Sequence, residues 1–157
     1  MIALGQVLVV IAILNVGIIY GTDVFSLIVL RPALAQVDDR TLVSIMGRVH
    51  QFADRRLRIP GISGLVLAIA GTAFVAGSGQ LGATIAGIVG VVASVMWLVI
   101  YSRISAPVNA RLTAAALSGE TPADTRLLQT RWDSVITARS ALQLLTMLSL
   151  GVLLIAS

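Results

Sequence analysis

Residues 59–102 read IPGISGLVLAIAGTAFVAGSGQLGATIAGIVGVVASVMWLVIYS, a run of 44 positions without one Asp, Glu, Lys, Arg or His. A soluble domain covers its core with charge at roughly one residue in four, so no soluble helix or strand carries such a run. A helix crossing the ~30 Å hydrocarbon core of a bilayer needs about 20 apolar residues. The run is about twice that length, and Ala76-Gly77-Ser78-Gly79-Gln80-Leu81-Gly82 breaks it near its middle. It reads as a transmembrane helical hairpin over residues 59–76 and 81–102.

Two further segments reach spanning length. Residues 2–30 hold no charge before Asp23, lack a basic region ahead of them and are too long for the apolar part of a signal peptide, so they read as a retained first span. Residues 132–156 start amphipathically near Arg131 and are uncharged from Ser140 to Ser157. The expected fold is all-α: a single domain, residues 1–157, forming a four-helix transmembrane bundle.

Composition agrees and removes several chemistries. The chain is 57% apolar and 11% charged, with no cysteine and no lysine. Thiolate nucleophiles, disulfides and cysteine metal sites are therefore impossible, and so is a lysine Schiff base. One histidine, His50, and one glutamate, Glu120, cannot build a three-histidine metal site or a di-iron carboxylate bundle within one chain. The expectation is no metal and no cofactor. Arginine, alanine, glycine, valine and leucine usage points to a GC-rich bacterial genome.

The net charge of +4 is not a nucleic-acid signature, because the arginines mark loops. Six lie from Arg31 to Arg58 and five from Arg103 to Arg139, while the central turn and both ends hold none. Arginine-rich short loops stay cytoplasmic. The expected location is a bacterial inner membrane, with both termini and the Gly77–Gly82 turn outside. Membrane lipids are the expected partners.

The first loop carries its own helix, residues 39–58, capped by Asp38 or Asp39. Leu42, Ile45, Met46, Val49, Phe52, Ala53 and Leu57 fall on one face, with Arg40, Ser44, Arg48, Gln51, Arg55 and Arg58 opposite. Such a helix lies on the cytoplasmic membrane surface, its arginines against anionic lipid heads. Alternatively it lids a polar cavity between the spans. His50 and Asp54 stand four apart on its edge. That spacing suits a His–carboxylate bond or half a metal site, completed by Asp23, Asp133 or Asn109, or else an interfacial His50 beside an Asp54–Arg58 pair.

Polar residues inside spans are costly and turn inward. Asn15, Thr22, Asp23 and Ser26 form one stripe on the first helix, and Trp132, Ile136, Arg139, Gln143 and Thr146 another on the last. Asp23 and Arg139 lie at matching depth and are expected to pair, either to fix the helices or to flank a ligand whose deeper wall is Asn15 and Gln143. Stripes of small residues, Gly64/Ala68/Thr72/Ala76 and Ala86/Gly90/Ser94, pack the hairpin or serve a homodimer or a docking protein. Trp97 and Tyr101 read as an interfacial belt.

Gly21-Thr22-Asp23-Val24-Phe25 with Arg31-Pro32-Ala33-Leu34, Pro107-Val108-Asn109, and Arg131-Trp132-Asp133 with Arg139 together resemble the motifs of the anthrone-oxygenase-like small membrane proteins. The resemblance covers nearly the whole chain and implies the same four spans. Fungal members oxidise anthrones with molecular oxygen and no cofactor, while most bacterial members have no assigned function. Many members carry a histidine one turn before the last helix's arginine. Here that position is Ile136.

The residues thus suggest a non-enzymatic membrane protein that binds a lipid or apolar ligand, or that serves as an accessory subunit of a larger assembly such as a lipid transporter. The ligand residues would be Asn15, Asp23, Asn109, Trp132, Arg139 and Gln143. The alternative is a cofactor-independent oxygenase acting on an anthrone-like polycyclic phenol, for which Asp23, His50 and Arg139 are the candidate catalytic groups.

Overall fold

The structure, a computed structural model, describes residues 2–157. Five helices follow one another: α1 Ile2–Leu34, α2 Asp39–Arg56, α3 Arg58–Ala76, α4 Leu81–Ser118 and α5 Thr125–Ala156. Among the described residues there is no strand. Four of the helices, all but α2, are long and apolar enough to cross a membrane, giving a multi-pass membrane protein. Their outer faces carry exposed Leu14, Ile18, Ile69, Val92, Leu148 and Ile155, as a bundle solvated by lipid requires.

The four long helices pack in the cyclic order α1, α3, α4, α5. Small residues decide how closely. A Cβ on Gly71 of α3 would stand 2.9 Å from the Gly5 carbonyl of α1, and one on Gly64 3.3 Å from Asn15 and Val16. Gly64 of the first stripe therefore seats α3 on α1, while Thr72 of the same stripe meets the hairpin partner α4. Gly90 of the second stripe likewise faces Leu150 and Ser149 of α5, and Gly87 brings α4 close to Thr72 of α3. Ser94 and Thr146 share a hydrogen bond at 3.1 Å inside this half of the bundle.

Helix length explains the other half. At about 1.5 Å per residue, α1, α4 and α5 reach roughly 50 Å and outrun the hydrocarbon core, whereas α3 spans only about 28 Å. The surplus projects at the arginine-rich end and leaves a gap over the start of α3. α2 fills it. Leu42, Val43 and Met46 of α2 join Val108 and Leu112 of α4 with Leu128, Trp132 and Ile136 of α5 in a second apolar core. Gly47 is the point of closest approach, where an added Cβ would collide with Ala116 and the Leu112 carbonyl. The α4 and α5 helices thus continue as structured walls well past residues 102 and 132, the expected end and start of their spans.

Caps and clamps hold α2 at its ends. Asp38, not Asp39, caps it by accepting from the Thr41 amide at 2.7 Å, and that bond holds the exposed Asp38 carboxyl below its ordinary value. Arg126 of α5 donates to Asp39 at 2.6 Å and to the Leu34 and Val37 carbonyls, tying the α1–α2 turn to α5. The apolar face of α2 differs from the expected one. Ile45, Val49 and Phe52 are exposed, while Val43, Gly47 and His50 are buried, because one apolar strip docks on protein and a second points outward.

Both α1 and α4 contain one π-helical stretch, Ser26–Leu30 and Tyr101–Ser105. Each closes two residues before a proline, Pro32 or Pro107. Proline has no N–H and its ring crowds the carbonyl four residues back, so the wider turn accommodates it.

Candidate functional site

Asp23 and Arg139 meet as their matched depths suggest. Arg139 donates to Asp23 Oδ1 at 2.6 Å and to the Ser105 hydroxyl at 2.9 Å, and the Trp97 indole N–H donates to Asp23 Oδ2 at 3.1 Å. Asp23 is 3% exposed and Arg139 5%. The guanidinium stands 5.4 Å from the Trp97 ring centre, 5.6 Å from Tyr101 and 5.5 Å from Trp132. Three aromatic faces therefore replace much of its hydration.

The π-helical turn in α4 builds the opposite wall. Trp97, Tyr101, Ser105 and Asn109 are spaced by four. In a continuous α-helix each step of four drifts by about 40°, which would leave Asn109 roughly 120° from Trp97. One extra residue in the turn cancels about 100° of that drift. Trp97 can then reach Asp23 while the Tyr101 hydroxyl and the Asn109 amide both donate to Asp54 of α2, at 2.8 and 2.9 Å. Trp97 and Tyr101 stack at 5.4 Å with their planes 5° apart.

These side chains close one end of a cavity of about 1030 Å³ between α1, α2, α3 and the α4–α5 pair. Its body is apolar, with walls from Val16, Ile19, Met46, Leu57 and Leu65, and it reaches the bundle's outer flank at the exposed Ile18, Phe25 and Ile62. Buried polar groups normally find partners. Seven buried side-chain polar atoms lack one among the described residues, and five of them belong to residues on this cavity's wall: His50 Nε2, Asn109 Oδ1, Trp132 Nε1, Arg139 Nε and Gln143 Oε1. Such a concentration at one end marks a place for a ligand's polar group.

His50 is not an interfacial residue. It is 3% exposed, lies 5.6 Å from the Trp132 ring, and burial with the nearby Arg139 charge pushes its pKa down to about 4. Near neutral pH its imidazole is uncharged.

Of the residues singled out from the sequence, the cavity gathers Asp23, His50, Asn109, Trp132, Arg139 and Gln143. Asn15 stands apart: its amide donates to the Ile11 carbonyl at 2.8 Å and its oxygen accepts from Ser63 at 3.1 Å. Thr22 and Ser26 donate to carbonyls of their own helix. Asp133 faces Arg31 at 3.6 Å and Gln129, away from the site. Asp54 bonds neither His50 nor Arg58, and among the described residues no three His, Asp or Glu side chains gather for a metal ion. Sequence reasoning missed Trp97, Tyr101, Ser105 and Asp54 as site residues. The four-residue spacing from Trp97 to Asn109 was the available signal. Compared with family models, curated proteins and solved structures, the chain matches none of them.

Proposed function

We propose that this protein is a membrane-embedded receptor for an amphiphile that enters from the lipid phase, its apolar body lying in the cavity and its polar head at Arg139, Trp132 and Gln143. The observation that carries this reading is that five wall residues at one end of an otherwise apolar cavity, which reaches the bundle's flank, each keep a buried polar atom without a partner. Ligand sites are typically apolar hollows with a few placed polar groups. In a membrane carrying the protein, a long-chain alcohol bearing a photoreactive diazirine should label cavity peptides from α1 and α3. Labelling confined to outward-facing residues such as Ile155 would contradict the reading.

Ten of the eleven arginines are exposed and lie at one end of the bundle, together with α2. The reading extends to orientation: that end faces the cytoplasm of a bacterial cell, following the preference of arginine-rich loops. Residues 2 and 157 and the 77–80 turn would then lie outside. Gln6 and Ser157, bonded at 3.2 Å, mark that far end.

One observation favours a second reading. The neutral His50, with Nε2 free, stands beside Arg139 and Trp132, a base next to a cationic and hydrogen-bonding cradle. Although Ile136 replaces the histidine of the resembled family, His50 offers an imidazole to the same tryptophan from another helix. An anthrone whose methylene lost two hydrogens and gained one atom of O₂, the other leaving as water, would become an anthraquinone. Oxygen uptake on anthrone that His50→Ala abolishes would favour this reading, and uptake at the buffer rate would remove it.

A further inference from the structure

Resting on the receptor reading, we infer that the ligand's head is uncharged and carries a hydroxyl group, which excludes anionic and cationic amphiphiles of the same chain. The charged groups on the cavity wall are Asp23, Asp54, Arg58 and Arg139, two of each sign. The buried pair is closed on itself at 2.6 Å. Asp54 and Arg58 stand four residues apart on consecutive helices, Asp54 held at the closed end by Tyr101 and Asn109 and Arg58 exposed at the mouth. His50 adds no charge at neutral pH. A charged head of either sign would surrender its hydration beside a wall whose two acids and two arginines cancel.

The unpartnered atoms give the same answer independently. Trp132 Nε1 and Arg139 Nε carry hydrogens to donate, Asn109 Oδ1 can only accept, and the Gln143 amide, which no bond holds, can present either its oxygen or its nitrogen. The Asn109 orientation is fixed because its Nδ2 already donates to Asp54. An anionic head would satisfy the donors and face the Asn109 oxygen, and a cationic head would face the two donor hydrogens. A hydroxyl donates one hydrogen bond and accepts two, so it serves both kinds of atom.

The two tryptophans of the chain both line this end of the cavity, so intrinsic fluorescence reports occupancy. The probes are 9,10-dibromostearyl alcohol, its sulfate ester and the trimethylammonium compound of the same chain, titrated into protein held in nanodiscs of unbrominated zwitterionic lipid. The alcohol should quench saturably at concentrations about tenfold or more below either charged probe, the difference expected for one uncompensated polar mismatch. Asp54→Asn, which keeps the shape and the accepting oxygen, should narrow the gap between sulfate and alcohol. Arg58→Gln at the exposed mouth should narrow it for the trimethylammonium probe instead. A charged probe equal to the alcohol in the unaltered protein overturns the inference, as does a ratio that neither substitution moves, since size alone would then exclude the charged heads. Absence of saturable quenching by all three probes overturns the receptor reading itself.

Discussion

Arg139 and Asp23, 116 positions apart in the chain, meet at 2.6 Å inside the bundle, and the same carboxylate accepts the indole of Trp97. The pair therefore joins α1, α4 and α5 at the level where the cavity ends. Removing one member strands a buried charge, at roughly 3–5 kcal/mol, whereas a neutral pair of similar shape avoids that cost. Asp23→Asn and Arg139→Gln should each destabilise the protein more than the two together. A thermodynamic cycle from unfolding in detergent checks this, and additive losses would show that the pair is not coupled.

Gly47 sets how α2 seats. A Cβ there meets Ala116 and the Leu112 carbonyl, and the carbonyl belongs to a helix that cannot give way. Gly47→Leu should cost at least the ~1–3 kcal/mol of an overpacked core and lift α2 from the bundle. Trypsin would then cut at Arg48 and Arg55 faster than in the unaltered protein. Gly21→Ala is the control, because an added Cβ there meets nothing within 4 Å. Equal cleavage of the Gly47 variant and the control would mean that α2 is not held by this contact.

His50 gives the fold a pH dependence of defined sign. Its folded pKa, about 4, lies below the ordinary value of 6.5. Between those values the unfolded chain binds the proton and the folded chain does not. The stability is complete above pH 6.5 and is lost as pH falls towards 4, by roughly 3 kcal/mol at most. In unfolding measurements across that window, His50→Gln should flatten the slope. An unchanged slope would assign the acid sensitivity to other groups.

How much of this was legible in the sequence follows the physics of each signal. The 44-residue uncharged run and the arginine clusters stated the membrane bundle outright, because hydrophobic length and charge are properties of segments. The Asp23–Arg139 pair was legible because a charge inside a span needs a partner and only depth had to be matched. Asn109 stood out in the sequence, but the bonds it and Tyr101 make to Asp54 were hidden by a single extra residue in α4, which moves side chains by about a quarter-turn and at which Pro107 and the four-residue spacing from Trp97 only hint. His50 and Asp54 stood out as a pair, but the burial of the one and the partners of the other were hidden for another reason. A helix with two apolar strips shows one averaged face in sequence, so the strip that docks was not separable from the strip that points outward.

Orientation has its own direct check. The chain has no cysteine, so a single one at position 78 or 120 is a clean label site. On intact bacterial cells a membrane-impermeant maleimide should modify Ser78→Cys and spare Glu120→Cys. Modification of position 120 alone would invert the bundle.

The central claim is that the cavity holds an amphiphile, and intact mass measurement of the protein released from its own membrane into mild detergent tests it most directly. Gly61 lies on the cavity wall, and an added Cβ there has only Ile19 Cδ1 nearby, at 4.0 Å, so Gly61→Leu should fold and fill the space a ligand would use. The unaltered protein should carry one bound small molecule that survives gentle activation, and Gly61→Leu should arrive bare. A bare unaltered protein, or the same adduct on both, would contradict the claim.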